Sequence, residues 1–156
     1  MASQASIQNS AGNAMEKIIH HILLEANVAE LAKVVKYDKK KHIADLLPLT
    51  NLPNGEPSAQ LLDVPVVKSC YQLDELIEKI KPDFKDVDKF ETEKGKKIGS
   101  SFVKKLPKKV MKKNAVVIVL FLNRDMDKWR GGTTTFTPET NRLHDINDGI
   151  VIGVVK

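Results

Sequence analysis

The 156-residue chain has one cysteine, one tryptophan and two tyrosines, and aromatic residues make up only 5% of it. The single cysteine, Cys70, allows no internal disulfide, which suits assembly in a reducing compartment. No histidine or cysteine pattern around it supports a nucleophile, so a small buried or half-buried thiol is expected. Nowhere does the chain reach the roughly 18 apolar residues of a membrane span. Its longest apolar run, "AVVIVLFL" (Ala115 to Leu122), has the length of a strand. The opening "MASQASIQNSAGNA" lacks the basic and apolar parts of a signal peptide, so export by the general route is not expected.

Motifs of catalysis are also missing. "GKKIGSS" (Gly95 to Ser101) has neither the spacing nor the preceding strand of a phosphate-binding loop. There is no G-x-S-x-G and no H-E-x-x-H. Adjacent His20 and His21 point about 100° apart on a helix and cannot chelate as an i, i+4 pair does. His42 has no nearby cysteine. His144, Asp145 and Asp148 form the densest acid–imidazole group, yet the acids of a calcium loop are not in place. Turn capping before the last strand accounts for them better. The aspartate pairs Asp125/Asp127 and Asp86/Asp88 lie among lysines and arginines and read as solvated faces. The sequence therefore predicts no enzyme, no cofactor, no metal and no small-molecule substrate.

What is present is a net charge of +5, much of it in one region: Lys94–Lys113 holds nine lysines and no acid. Apolar content of 42% is that of an ordinary globular chain, and the length suits one domain. From Asn9 or Ser10 the spacing of Met15, Ile18, Ile19, Ile22, Leu23 and Ala26 predicts a helix with one apolar stripe, which must cover a sheet or meet another copy. Residues before it, to about Gln8, read as disordered or ordered by a partner. Val28–Asp38 and His42–Thr50 then read as a hairpin around "DKKK". Leu61–Ser69 is a third strand, which Pro65 confines to an edge or a bulge. "AVVIVLFLN" and "GIVIGVV" supply two more. Between the third strand and "AVVIVLFLN", from about residue 70 to 113, lies a Lys-rich insertion with a helix over Gln72–Lys81 that stops at Pro82. The prediction is a mainly β fold: a small five-stranded, OB-like Greek-key barrel with an N-terminal helix. Residues 1–27 form the arm and helix, and 28–156 the domain.

Four segments in order, "VAELAKVVKYDKKKHIADLLPL", "LLDVPVV", "VVIVLFLNRDMDKW" and "NRLHDINDGIVIGVV", resemble the N-terminal OB-fold domain of the membrane-puncturing spike family of phage baseplates and related contractile machines. Asp63-Val64-Pro65-Val66 match its second element. Arg124, Asp125, Asp127 and Trp129 match the third, and Arg142, His144, Asp145 and Asp148 fall on the fourth. The resemblance covers about Val28 to Val155, without most of the insertion.

It implies a non-enzymatic virion protein, assembled in the host cytoplasm. Such a protein forms the base of a homotrimeric central spike in the tail baseplate, or joins hub to spike. Hub, spike-tip and tape-measure proteins are the implied neighbours, and membrane contact is at most indirect. Because the chain ends at Lys156, directly after its last strand, a separate protein is expected to form the piercing tip. Arg124, Asp125, Asp127, Trp129, Arg142 and His144 are the expected subunit interface, with Arg124 paired to Asp125 or Asp127 of another copy and Trp129 either anchoring that contact or closing its own barrel. The alternative is an OB-fold nucleic-acid-binding protein using the Lys94–Lys113 tract, with Lys104, Lys105, Lys108, Lys109, Lys112 and Lys113 as its basic patch. Against it, Phe102 is the only aromatic interleaved with those lysines, and single-strand binders stack bases on several.

Overall fold

The computed structural model describes residues 4–90, 95, 101–129 and 131–155; for 4–11, 24 and 25 only the backbone is described. Lys94, Lys96, Lys97 and the first three residues lie outside that set.

Five strands form one sheet: β1 (Ala29–Asp38), β2 (Ile43–Pro48), β3 (Leu61–Pro65), β4 (Val116–Phe121) and β5 (Gly149–Val154), in the order β3-β2-β1-β4-β5. β1, β2 and β3 follow one another as antiparallel neighbours, and β4 returns after a long connection to lie beside β1. That is the Greek-key order. Hydrogen bonds from Val34 N to Ala115 O and from Asn114 N to Val34 O join β1 to the start of β4. Val155 N to Val116 O joins β5 to β4. At the far edges, Val151 of β5 makes a parallel bridge to Val66, just past β3, and Val67 N donates to Val151 O at 3.0 Å.

The alternation seen in the sequence is the alternation of burial. Ala44 and Leu46 on β2, and Val117 and Val119 on β4, point inward with Ala32, Val34, Leu61, Val64 and Val151. Two bulges keep the faces consistent. On β1 the register slips between Val34 and Lys36, and on β3 an extra residue enters near Asp63. There Asp63 takes a left-handed φ of 52°, and its amide donates to the Asp45 carboxylate at 3.1 Å. Pro65 sits on the edge strand, where its missing N–H costs the ladder least. The "DKKK" turn is closed by Asp38, whose carboxylate accepts from the amides of Lys40 and Lys41.

The chain divides into two compact units: Met1–Ala29 with Phe121–Gly149, and Glu30–Leu120 with Ile150–Lys156. In the second, the predicted end of a helix at Pro82 is corrected. Helix α2 runs from Gln72 to Lys89 straight through that proline. The reason lies in its inner face. Asp74, Ile77, Ile80, Phe84 and Asp88 recur at helical spacing on both sides of Pro82, so packing outweighs the one lost backbone bond. Leu73 and Leu76 lie off that face and are about half exposed. The four-residue helix α3 (Phe102–Lys105) follows, with Phe102 against Phe84 at 5.8 Å.

Two aspartates tie this region down. Asp88 accepts from the amides of Phe102 and Val103, at 2.8 and 3.0 Å. Buried Asp74 accepts from Val110 N and Met111 N, both at 2.9 Å, and Met111 is itself fully buried. In its described part, the helix-containing insertion is thus held by side-chain to backbone bonds at both aspartates. Asp88, expected on a solvated face, caps a backbone turn.

In the first unit, helix α1 runs from Gln4 to Glu25, beginning several residues before the expected start. Its stripe covers nothing among the described residues: Met15, Ile18, Ile19, Ile22 and Leu23 are each at least half exposed.

Candidate functional site

Past β4 the chain turns sharply, and past Thr140 it returns to the same place. Arg142 arrives on that return and meets three carboxylates. Its Nε donates to Asp148 Oδ2 at 2.7 Å, and its Nη2 to Asp148 Oδ1 at 2.8 Å, a two-pronged pairing that only a guanidinium makes. The same Nη2 reaches Asp127 at 2.9 Å and Asp125 at 3.4 Å. Asp125 also accepts from Asp127 N, Thr140 N and Thr140 Oγ1, all at 2.8 Å. Asp148 accepts from Met126 N at 3.0 Å. Asp125 and Asp148 are both 0% exposed.

Buried carboxylates survive as ions only when surrounded by donors, and these are. The Arg142 guanidinium holds the Asp148 carboxyl below the usual range, helped by the Met126 amide. Asp125 is held low chiefly by the Asp127 amide, then by Thr140 and Arg142. Arg142 is correspondingly raised, first by Asp148. The carboxylate oxygens of Asp125, Asp127 and Asp148 lie within 4.8 Å of one another, a spacing that could suit a divalent cation. Arg142 donates to all three and occupies the space between them. Asp125, Asp148 and Arg142 are all held away from proton exchange near neutrality. The arrangement fastens the loop between β4 and β5.

This places the predicted interface residues in two groups. Asp125 and Arg142 turn inward and are spoken for within the chain, as is Asp148. Of the two partners expected for Arg124 in another copy, Asp125 is wholly buried and bonded within the chain, whereas Asp127 is exposed. Arg124 and Asp127 are exposed, and Trp129 is 37% exposed, with its amide on Met126 O at 2.9 Å. His144 is half-buried at a left-handed φ of 50°, its carbonyl accepting from Asn27 Nδ2. The expected turn cap is Asp145, which accepts from Asn147 N at 2.9 Å; Asp148 belongs to the Arg142 network instead.

The basic patch is partly neutralised. Lys109 and Lys39 converge on Glu78, pulling its carboxyl down to about 2, with Lys109 the larger influence. Lys104, Lys105, Lys108, Lys112 and Lys113 stay exposed, with Lys105 Nζ 5.7 Å from the Phe102 ring centre. Because the Glu78 contacts are at the surface, Glu78→Gln is expected to move the neutral-pH thermal midpoint by no more than about 2 °C. Its effect belongs to acid. A carboxyl whose folded value is depressed stabilises above its unfolded value and loses that contribution as pH falls through the folded one. The variant's melting curve should thus be flatter between about pH 4.5 and 2. An unchanged acid limb would show that the two lysines do not hold Glu78 in solution.

Sequence reading missed a further cluster beside the first hairpin. His42 stacks on Tyr71 at 3.9 Å, faces Tyr37 Oη at 3.3 Å, and has Glu75 at 3.7 Å. Burial, with the nearby Tyr71 and Glu75, pushes the Tyr37 hydroxyl up to about 12. Cys70 is a buried thiol, also pushed up by burial. No family model and no curated protein matches the chain.

Proposed function

We propose that this chain is a non-enzymatic structural component of a phage tail baseplate, at the base of the central spike or between hub and spike, and that its sheet is an OB-type barrel. The observation that carries the reading is the Arg142 network. Asp125 and Asp127 belong to the third segment of the family resemblance, and Arg142 and Asp148 to the fourth. Segments far apart in sequence meet in one buried ionic cluster, which makes them a single architectural unit and gives their charges a structural job. The Greek-key order and the parallel bridge between the edge strands support the barrel. On α2 and the segment after α3, a groove of about 500 Å³ has an apolar floor of Ile77, Val103, Leu106 and Pro107 edged by Lys81, Lys104 and Lys108, which suits an acidic neighbour such as a hub or tape-measure protein.

Antibodies raised against the recombinant chain should label the tail tip of particles from the source culture. Label on the capsid, or none on intact and disrupted particles alike, would overturn the reading. The nucleic-acid alternative makes the opposite demand on the lysines. Single-stranded oligonucleotides are expected to show negligible affinity near physiological salt, and Lys104→Glu with Lys108→Glu should leave that unchanged.

A further inference from the structure

We propose that the groove beside α2 is a docking site for an acidic amphipathic helix, a segment of a partner protein with a stripe of large apolar side chains flanked by carboxylates on both sides. The inference rests on the reading of this groove as a contact surface and deepens it by naming what enters. It starts from a mismatch. A lysine tract that served solubility alone would need no anchoring, yet this one is fastened at two points. Asp88 takes the amides of Phe102 and Val103, and buried Asp74 those of Val110 and Met111. Phe102 is set against Phe84 of α2. The lysines between those anchors are carried on a backbone already held in place, which lowers the ordering cost of binding.

The lining says what the occupant must carry. The groove holds about 500 Å³, within the roughly 300–1,000 Å³ of ligand pockets, so it takes side chains and not a whole helix. Ile77 is buried in its floor, and Val103 and Leu106 are half-buried beside it. Lys81 comes from α2, Lys104 from α3 and Lys108 from the segment after it, all three exposed, so cations reach the groove from both of its walls. Cations on either side of an apolar floor call for acids on either side of an apolar stripe. Glu78 is the one carboxylate among the described lining residues, and Lys109 and Lys39 already hold it. An added strand would find little to pair with, since α2 presents side chains and Pro107 has no N–H. Side-chain anchors entering an apolar groove are how an amphipathic helix is held. Nucleic acid fits less well: none of the described lining residues is aromatic, so bases have nothing to stack on.

The probe is a short synthetic peptide with leucines at i, i+3, i+4 and i+7 and glutamates on both flanks, fluorescently labelled and titrated with the full chain near physiological salt. Anisotropy should show saturable binding. The same peptide with glutamine in place of glutamate keeps the stripe, and polyglutamate of equal length keeps the charge; each should bind at least tenfold more weakly. Lys104→Glu with Lys108→Glu should weaken binding of the probe at least tenfold, as should Leu106→Ser. Lys112→Glu with Lys113→Glu, exposed but outside the groove, should stay within about twofold of the parent. Glu78→Gln should tighten binding by roughly threefold, because it removes that carboxylate and releases Lys109. The charge variants lie at the surface and are expected to unfold like the parent, so they decide the matter even where Leu106→Ser fails to fold. Four outcomes would each overturn the proposal: no saturable binding up to about 1 mM chain; equal binding of either control peptide; a loss in the Lys112 and Lys113 variant as great as at Lys104 and Lys108; or displacement of the probe by a single-stranded oligonucleotide. A missing label at the tail tip would sink the baseplate reading and leave the peptide result as it stands.

Discussion

Arg142→Met is expected to lower the thermal midpoint at neutral pH by roughly 10 °C, the largest effect of any single substitution discussed for this chain. The substitution keeps the length and apolar volume of the side chain but strips the guanidinium, the one cation among the described residues that bonds to them, from two carboxylates that are wholly buried. Removing one partner of such a group is far worse than never having had the pair, because the remaining charge has neither water nor counter-charge. The pH dependence should change sign as well. In the parent, Asp148 has a depressed folded value, so its contribution is present above the unfolded value and fades as acid protonates it. In the variant, Asp125 and Asp148 repel each other without relief, their folded values rise, and acidification between about pH 6 and 4 should stabilise rather than destabilise. Calorimetry across that range reads both effects. Arg142→Lys should fall between, since an ammonium cannot reproduce the two-pronged contact with Asp148. A drop of only a degree or two with the parental slope would mean that the network is open to solvent.

Asp74→Ala should cost about 2–4 kcal/mol in chemical denaturation. The carboxylate holds the amides of Val110 and Met111, and Met111 is 1% exposed, so water does not readily replace the lost acceptor. Asp74→Asn keeps one acceptor oxygen and should lose about half as much. Hydrogen exchange separates a local from a global effect: the Met111 amide should exchange faster in Asp74→Ala even under conditions where β2 and β4 remain protected. An unchanged Met111 rate would show that other contacts hold that segment.

The strands were legible because each buries one face and period-two alternation is written directly into residues such as those of β2 and β4. Pro65 was legible for a related reason, since its chemistry permits few places in a sheet. The length of α2 was not. A proline is read locally as a stop, while the face that overrules it depends on Phe84 finding Phe102, a contact between segments. The Arg142 network was hidden for the same kind of reason. Asp125, Asp127 and Arg142 looked like surface charge because charge is usually at the surface. What buries Asp125 and brings Arg142 to it is the return of the chain past Thr140, and nothing near Asp125 in sequence announces it. Asp74 looked like an ordinary acid in the first turn of a helix. Its amide partners lie far along the chain, beyond the reach of any local pattern. The family resemblance had placed Asp125 and Arg142 in adjacent elements, a pointer toward one site, though it directed them to a neighbouring subunit rather than to each other.

The bridge between Val66 and Val151 has a consequence in time rather than in space. β1, β2 and β3 are linked by short connections, so their pairings form between neighbours in sequence. The seam between the two sheet edges joins residues from the middle and the end of the chain, and the ordering entropy of that closure is met by few backbone bonds. With so few bonds across it, this seam is expected to form late and open early, which hydrogen exchange at the Val67 amide would read. Openings that start there would expose the edge of β3 and the edge of β5 together.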